Sequence, residues 1–404
     1  MRRSTFNDSL LTTAKNGVNW TFEYHGSASG TILADERLNG LNPYYGSELC
    51  TDVETIYSLA YNYFAIGDPY YADRAELTAF NALPAAVSDD WWSHQYMTQP
   101  NQPYSKNLSD TPFYDVNTQG QTFGLEPDYP CCTVNHPQGY PKFTMYSYLR
   151  KGDTGLVHGL LSPGRLQTQV SGRRVSIDCE TDYPFNDTLS YTIDSKTNFD
   201  FYLRAPQWAS SISIRSSSGG DSLDSSSIDP DSRLSRLEIR PGTTKITYEL
   251  STDLRIESRA NDTVAVYRGA ILYGFYIPPV VSTGPPKFYN NQTDVPAGST
   301  PSPVHDHVLL NDTQWNVAID PSTLVYNPGS GPLPSPTFQD GKLPMSVSAK
   351  ACLIDWPLFK GAVPDSPIPK TERKCLGDTF EITLRPYGSA KLHMADLPTI
   401  ELVG

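Results

Sequence analysis

Two cysteines stand side by side in EPDYPCCTVNHPQGYPKF, residues 126–143, in a chain that holds six. The peptide between Cys131 and Cys132 would hold a bond between their sulfurs in a strained ring, so each needs another partner: a metal, a substrate or a distant thiol. A second gathering of reactive side chains lies in ILADERLNGLNPYYGSELC, residues 32–50, which collects Asp35, Glu36, Glu48 and Cys50. Glu48 and Cys50 are two apart, and in an extended or turn conformation that spacing points both side chains the same way. Together with Cys131 and Cys132 they offer one oxygen and three sulfurs, a tetrahedral set suited to zinc. A covalent use competes with this one, because six cysteines could make three disulfides in any of about 15 connectivities. No Cys-x-x-Cys pair of the zinc-finger kind is present. Cys352 and Cys375, both in the C-terminal part, are the better disulfide candidates, and Cys179 in RVSIDCETDY reads as a buried core thiol.

The elements that must position these residues change character along the chain. In TDVETIYSLAYNYFAIGD, residues 51–68, Val53, Ile56, Tyr57, Ala60 and Phe64 recur at spacings of three and four, and Gly67 ends the pattern, which predicts a helix. A second helix is expected in YADRAELTAFNALPAAVS, residues 71–88, where Ala75, Ala79, Phe80 and Leu83 share a face before Pro84 breaks the run. From about residue 145 the period becomes two. Phe199, Phe201 and Leu203, then Ile212 and Ile214, Leu237 and Ile239, and Ile246, Tyr248 and Leu250 alternate with polar neighbours, the signature of a β-sandwich. SSSGGDSLDSSS, residues 216–227, is expected to be a flexible hairpin tip, and VSTGPPKFYNNQTDVPAGSTPSP and NPGSGPLPSPT to be surface loops.

Composition narrows the partners. A net charge of −13 with 31 Lys+Arg and no basic cluster argues against nucleic acid or an anionic membrane, and favours a neutral ligand. The 25 Tyr and 6 Trp supply flat faces of the kind that stack on sugar rings, although most buried aromatics are core. No run approaches the ~20 apolar residues of a membrane span, and MRRSTFNDSLLTT lacks the apolar centre of a signal peptide. Asn-x-Ser/Thr at Asn7, Asn19, Asn107, Asn186, Asn261, Asn291 and Asn311 nevertheless leans towards an extracellular glycoprotein.

ADERLNGLNPYYGSELCTDVE, DRAELTAFNALPAA, DDWWSHQYMTQPNQ and CCTVNHPQGYPKF, in this order, together resemble glycoside hydrolase family 127, the β-L-arabinofuranosidase family; ETDYPF, LRAPQWA and VAVYRGAILYGF extend the likeness to about residue 280. The resemblance implies an α+β multidomain chain: part of an (α/α)6 barrel over 1–145, a β-sandwich over 146–280 and a β-rich region over 281–404. It implies zinc held by Glu48, Cys50, Cys131 and Cys132, with Cys131 as nucleophile and Glu36 as general acid/base. Glu76 and Tyr96 fall where the family contacts sugar hydroxyls. The substrate so implied is a β-L-arabinofuranoside or a similar cell-wall sugar. Two features depart from the pattern. Relatives carry a long helical region ahead of the Glu36 motif, so only about half a barrel is expected here, and a non-catalytic carbohydrate-binding or structural module is the alternative. Asn16 also stands where relatives usually have His, and Tyr140 where fungal relatives commonly have Trp.

Overall fold

The computed structural model describes residues 2–217 and 223–402, so residues 218–222 of the expected hairpin tip lie outside the described residues. The chain is a mixed α+β assembly in which a helical N-terminal third packs on a two-sheet sandwich and on a separate C-terminal sheet. The longer helices are α1 (Ser9–His25), α2 (Leu49–Ile66) and α3 (Pro69–Leu77). Two short ones, α4 (Cys131–Asn135) and α5 (Gly139–Thr144), follow the loop region.

Helix α2 shows why the local pattern was half legible. Leu49, Val53, Ile56, Ala60 and Tyr63 form its buried stripe, and Gly67 closes it in the left-handed conformation (φ 81°), its N–H donating to the Tyr63 carbonyl. Tyr57 and Phe64, expected on that face, are instead 36% and 44% exposed. Each follows the stripe by one position, about 100° further round the helix, so both satisfy the i,i+4 spacing while facing outward.

Helix α3 begins at Pro69, capped by Asp68, whose carboxylate accepts from the Tyr70 N–H. Ala75, Ala79, Phe80 and Leu83 are buried on one face as the spacing predicts. The helix widens into a π-helical turn at Thr78–Ala82 before it ends at Leu83–Ala85. Asn81 explains the widening: its amide donates to the carbonyls of Leu77 and Ala270, and its oxygen accepts from the Leu272 N–H. A buried strand is thereby stitched to the helix without an orphaned polar group.

The β-region holds two facing sheets. One runs Leu223–Asp224, Ser211–Ser216, Gly242–Ser251, Thr188–Ser195, Arg173–Glu180, Gly164–Val170; the other runs Leu234–Ile239, Phe199–Arg204, Gly155–His158, Tyr148–Lys151. Every residue named for period-two alternation is buried between them, and Tyr191 of one sheet meets Phe201 of the other edge-on at 5.5 Å. Cys179 is a buried free thiol in this core.

The expected boundary at 280 is not where the sheets divide. Leu254–Arg259, Thr263–Arg268 and Ile271–Tyr276 belong to the C-terminal sheet, pairing onward to Phe380–Pro386, Ser346–Leu353 and Val317–Ile319. Nothing in local alternation says which strand a given strand will pair with, so the sequence grouped these three with their neighbours in the chain. The Pro/Gly-rich excursion also holds more order than a loop: Val280–Gly284 and Asp306–Leu310 form a ribbon bridged to Phe123 and Ser105. Cys352, in the strand Ser346–Leu353, forms a disulfide with Cys375. No helix among the described residues is long and apolar enough to cross a membrane.

Candidate metal centre

Glu48 ends a two-residue strand, Ser47–Glu48, that pairs antiparallel with Met97–Thr98, and it is also the residue before α2. Its extended backbone (φ −64°, ψ 139°) turns directly into the helix, which places Cys50 in the first turn. The Leu49 N–H donates to the Tyr96 carbonyl and locks this junction. From the other side, Cys131 and Cys132 open α4, which packs on α2.

Four ligand atoms, one each from Glu48, Cys50, Cys131 and Cys132, lie within 4.8 Å of one another. Cys50 Sγ is 3.4 Å from Cys132 Sγ, Cys131 Sγ is 3.6 Å from Glu48 Oε1, and Cys132 Sγ is 4.0 Å from the same oxygen. These sulfurs are free thiols rather than a disulfide. A tetrahedral ion with bonds of ~2.3 Å to sulfur and ~2.0 Å to oxygen requires ligand-to-ligand edges of about 3.5–3.8 Å, which the observed separations bracket. The donor set and its spacing therefore fit a metal ion.

The cluster is graded in exposure: Cys132 is fully buried, Glu48 is buried, Cys50 is half-buried and Cys131 is exposed. Burial, with the charge of Cys131 second, pushes the Glu48 carboxyl up to about 7. Thiol donors on Cys132 and Cys50 hold Cys131 low, while the same contacts push Cys50 and Cys132 up.

Glu36 stands at the rim. It adopts a left-handed backbone (φ 71°), uncommon for a residue with a side chain, inside a tight turn where the Asp35 N–H donates to the Arg37 carbonyl. Buried Asp35 anchors the turn by accepting from the Tyr114 N–H at 2.7 Å. Glu36 itself is exposed, and the buried Tyr96 donates its hydroxyl to Glu36 Oε1 at 2.9 Å. Tyr96 lies close enough to Glu48 and Cys131 for their charges to help push its phenol up, after burial. Thus Glu36 and Tyr96 join the four ligands in one neighbourhood.

Glu76 does not. It is fully buried, and both its oxygens already accept, from the Leu161 N–H, the Tyr183 hydroxyl and the Arg204 guanidinium, inside the protein where no sugar reaches them. The expectation that Glu76 contacts substrate is corrected: it is half of a packing lock between α3 and the sandwich. Asn16 is exposed on α1, and Tyr140 lies 5.3 Å from Trp91, ring to ring.

Two residues that the sequence reading passed over shape the short helix carrying the thiols. His136 holds the Cys132 carbonyl with Nδ1 and the Trp91 carbonyl with Nε2, each at 3.2 Å. His94 contacts the hydroxyl of Thr133 at 3.2 Å, and that hydroxyl donates to the Leu125 carbonyl. The signal was present in SHQY and CCTVNHP, but a histidine that binds carbonyls looks in sequence like any other histidine.

With the geometry in hand, known proteins add the following. The family model described as beta-L-arabinofuranosidase, GH127 middle domain, matches residues 155–227, within the sandwich. No curated protein matches. Among solved structures, a GH127 beta-L-arabinofuranosidase from Geobacillus stearothermophilus T6 is similar with a TM-score of 0.58 at 15% identity, over 91% of this chain and 52% of that one. A glycoside hydrolase (TM-score 0.61, 15% identity, 90% and 54%) and a GH127 beta-arabinofuranosidase (0.60, 17%, 92% and 53%) are similar too. The resemblance to this family thus extends from motifs to a domain match and a shared fold. The chain spans about half the length of these solved structures.

Proposed function

We propose that this chain is a retaining glycoside hydrolase relative that acts on β-L-arabinofuranosides or similar cell-wall sugars, its helical third corresponding to part of an (α/α)6 barrel. The observation that carries the reading is the convergence of Glu48, Cys50, Cys131 and Cys132, with only Cys131 exposed and Glu36 at the rim. Glu48, Cys50, Cys131 and Cys132 would hold zinc, which strips protons from thiols and so keeps sulfur nucleophilic at neutral pH.

The chain's own residues then divide the work. Cys131 Sγ attacks the anomeric carbon as the bond to the departing oxygen breaks, and Glu36 gives that oxygen its proton. Glu36 next takes a proton from water, whose oxygen attacks the anomeric carbon and releases the sugar from Cys131. Two inversions leave the configuration retained. Tyr96 keeps the Glu36 carboxyl in place through its hydroxyl, and lies where a sugar hydroxyl could share that contact.

The test is turnover of a chromogenic β-L-arabinofuranoside together with elemental analysis. Stoichiometric zinc, release of three titratable thiols on chelation and a thioglycosyl adduct on Cys131 in mass spectra are the expected results. Zinc binding without turnover would favour a non-catalytic carbohydrate-binding or structural module instead. Loss of activity in Cys131→Ser is not diagnostic alone, since that change also removes a metal ligand.

A further inference from the structure

We propose that the cleft between α1, α3 and the strand Leu254–Arg259 binds a carboxylated sugar, with Arg74 gripping the carboxylate. The cleft has a volume of about 600 Å³; three cations, Lys15, Arg74 and Arg259, and three carboxylates, Glu23, Asp68 and Glu257, are among its lining, and Glu257 lies 3.7 Å from Arg259. None of these residues belongs to the cysteine cluster.

Arg74 is built like a receptor. It lies in the last turn of α3, with its guanidinium carbon 4.3 Å from the ring centre of Phe22 and 5.1 Å from that of Tyr70. Two aromatic faces hold the planar group in one orientation, which removes the rotational freedom that binding would otherwise cost. Its Nε is buried without a hydrogen-bond partner. The other cations of the cleft are engaged: Lys15 pairs with Asp68 at 2.8 Å, and Arg259 contacts Asp396 at 3.4 Å and the Gly26 carbonyl at 2.6 Å. Among the described residues no carboxylate pairs with Arg74. A guanidinium held flat at the wall of a cleft without a counter-ion fits a carboxylate, whose two oxygens match its fork.

The remaining lining selects the ligand. Asn19 offers both a donor and an acceptor, and the exposed Glu23 offers acceptors for hydroxyls. Glu23 would also repel a doubly charged phosphate more strongly than a singly charged carboxylate. One negative charge surrounded by several hydroxyls describes a hexuronate. The choice of a sugar rests on the carbohydrate reading above, whereas the carboxylate rests on Arg74 alone.

Calorimetric titration of the purified chain with D-glucuronate, D-glucose and inorganic phosphate tests this. Saturable glucuronate binding is expected, weakened about tenfold or more by Arg74→Gln, and also weakened by Arg74→Lys, which keeps the charge but loses the fork. Glucose and phosphate should bind more weakly, and Glu23→Gln should improve phosphate binding. Cys131→Ser should bind glucuronate as the unaltered chain does, so failed arabinofuranoside turnover with intact glucuronate binding would sink only the hydrolase reading. The proposal is overturned if the unaltered chain binds no glucuronate, if glucose binds equally well, or if both Arg74 variants bind normally with unchanged melting temperatures.

Discussion

Two clusters of charged and polarisable side chains lie in the helical third, and their contrast is instructive. At the sandwich interface Arg204 reaches from the strand Phe199–Arg204 to Asp73 and Glu76 of α3, and all three are buried. Their remaining hydrogen-bonding atoms are taken up: Arg204 also donates to the Gly159 carbonyl, Asp73 accepts from the Gln207 N–H, and Glu76 from Leu161 and Tyr183. Burial pushes both carboxylates up while Arg204 pulls them back. At the cysteine cluster, by contrast, three sulfurs and a carboxylate lie within 4.8 Å of one another with one member open to solvent. A cluster whose groups satisfy each other holds the fold together. One whose groups are all electron donors has capacity left for an ion or a substrate.

The sharpest way to break this contrast is to remove Arg204. Arg204→Ala would strand two buried carboxylates and cost about 3–5 kcal/mol of stability, read from a urea midpoint. Cys50→Ser in the metal-free chain should cost no more than about 1 kcal/mol, because it leaves no buried charge unpaired. Equal losses at the two sites would erase the distinction.

If the proposed hydrolase reading holds, Glu36→Gln should lower kcat by about 10²–10⁴ with metal content and melting temperature unchanged, because on that reading only proton transfer is lost. A parallel fall in melting temperature would make Glu36 structural.

His158 supplies a pH test of the closed side. It is fully buried, bonded to the Tyr191 hydroxyl at 2.9 Å, and burial followed by the charge of Arg204 pushes it down to about 3. The unfolded chain takes up a proton near the ordinary histidine pKa of about 6.5 that the folded chain refuses. This group therefore makes stability fall with acidification between those values, by up to about 1.4 kcal/mol per pH unit. His158→Gln should flatten that part of the stability-against-pH curve by one proton; an unchanged slope would show that His158 is charged in the fold. The smallest expected effect is Tyr96→Phe, which removes one hydrogen bond to Glu36 and should cost about 0.5–1.5 kcal/mol of stability, read from a urea midpoint.

How far these sites could be read in advance depended on range. Alternation around Phe199, Ile212, Leu237 and Ile246 is a local property of each strand, and every one of those residues is buried as expected. The grouping of Leu254–Tyr276 with the sandwich failed because strand pairing is decided by contacts more than a hundred residues away, at Phe380–Pro386. Tyr57 and Phe64 were misplaced because two neighbouring faces of α2 share the same spacing.

The kinds of atom available for chemistry were present in the chain's letters: a Glu-x-Cys step, a vicinal cysteine pair and an Asp-Glu step upstream. Folding alone brought Cys50 to within 3.4 Å of Cys132 across 82 positions, and folding alone filled every oxygen of Glu76 with donors from the sandwich. The physical reason is that a side chain's type sets what it can bind, whereas its availability depends on which remote groups have already bound it.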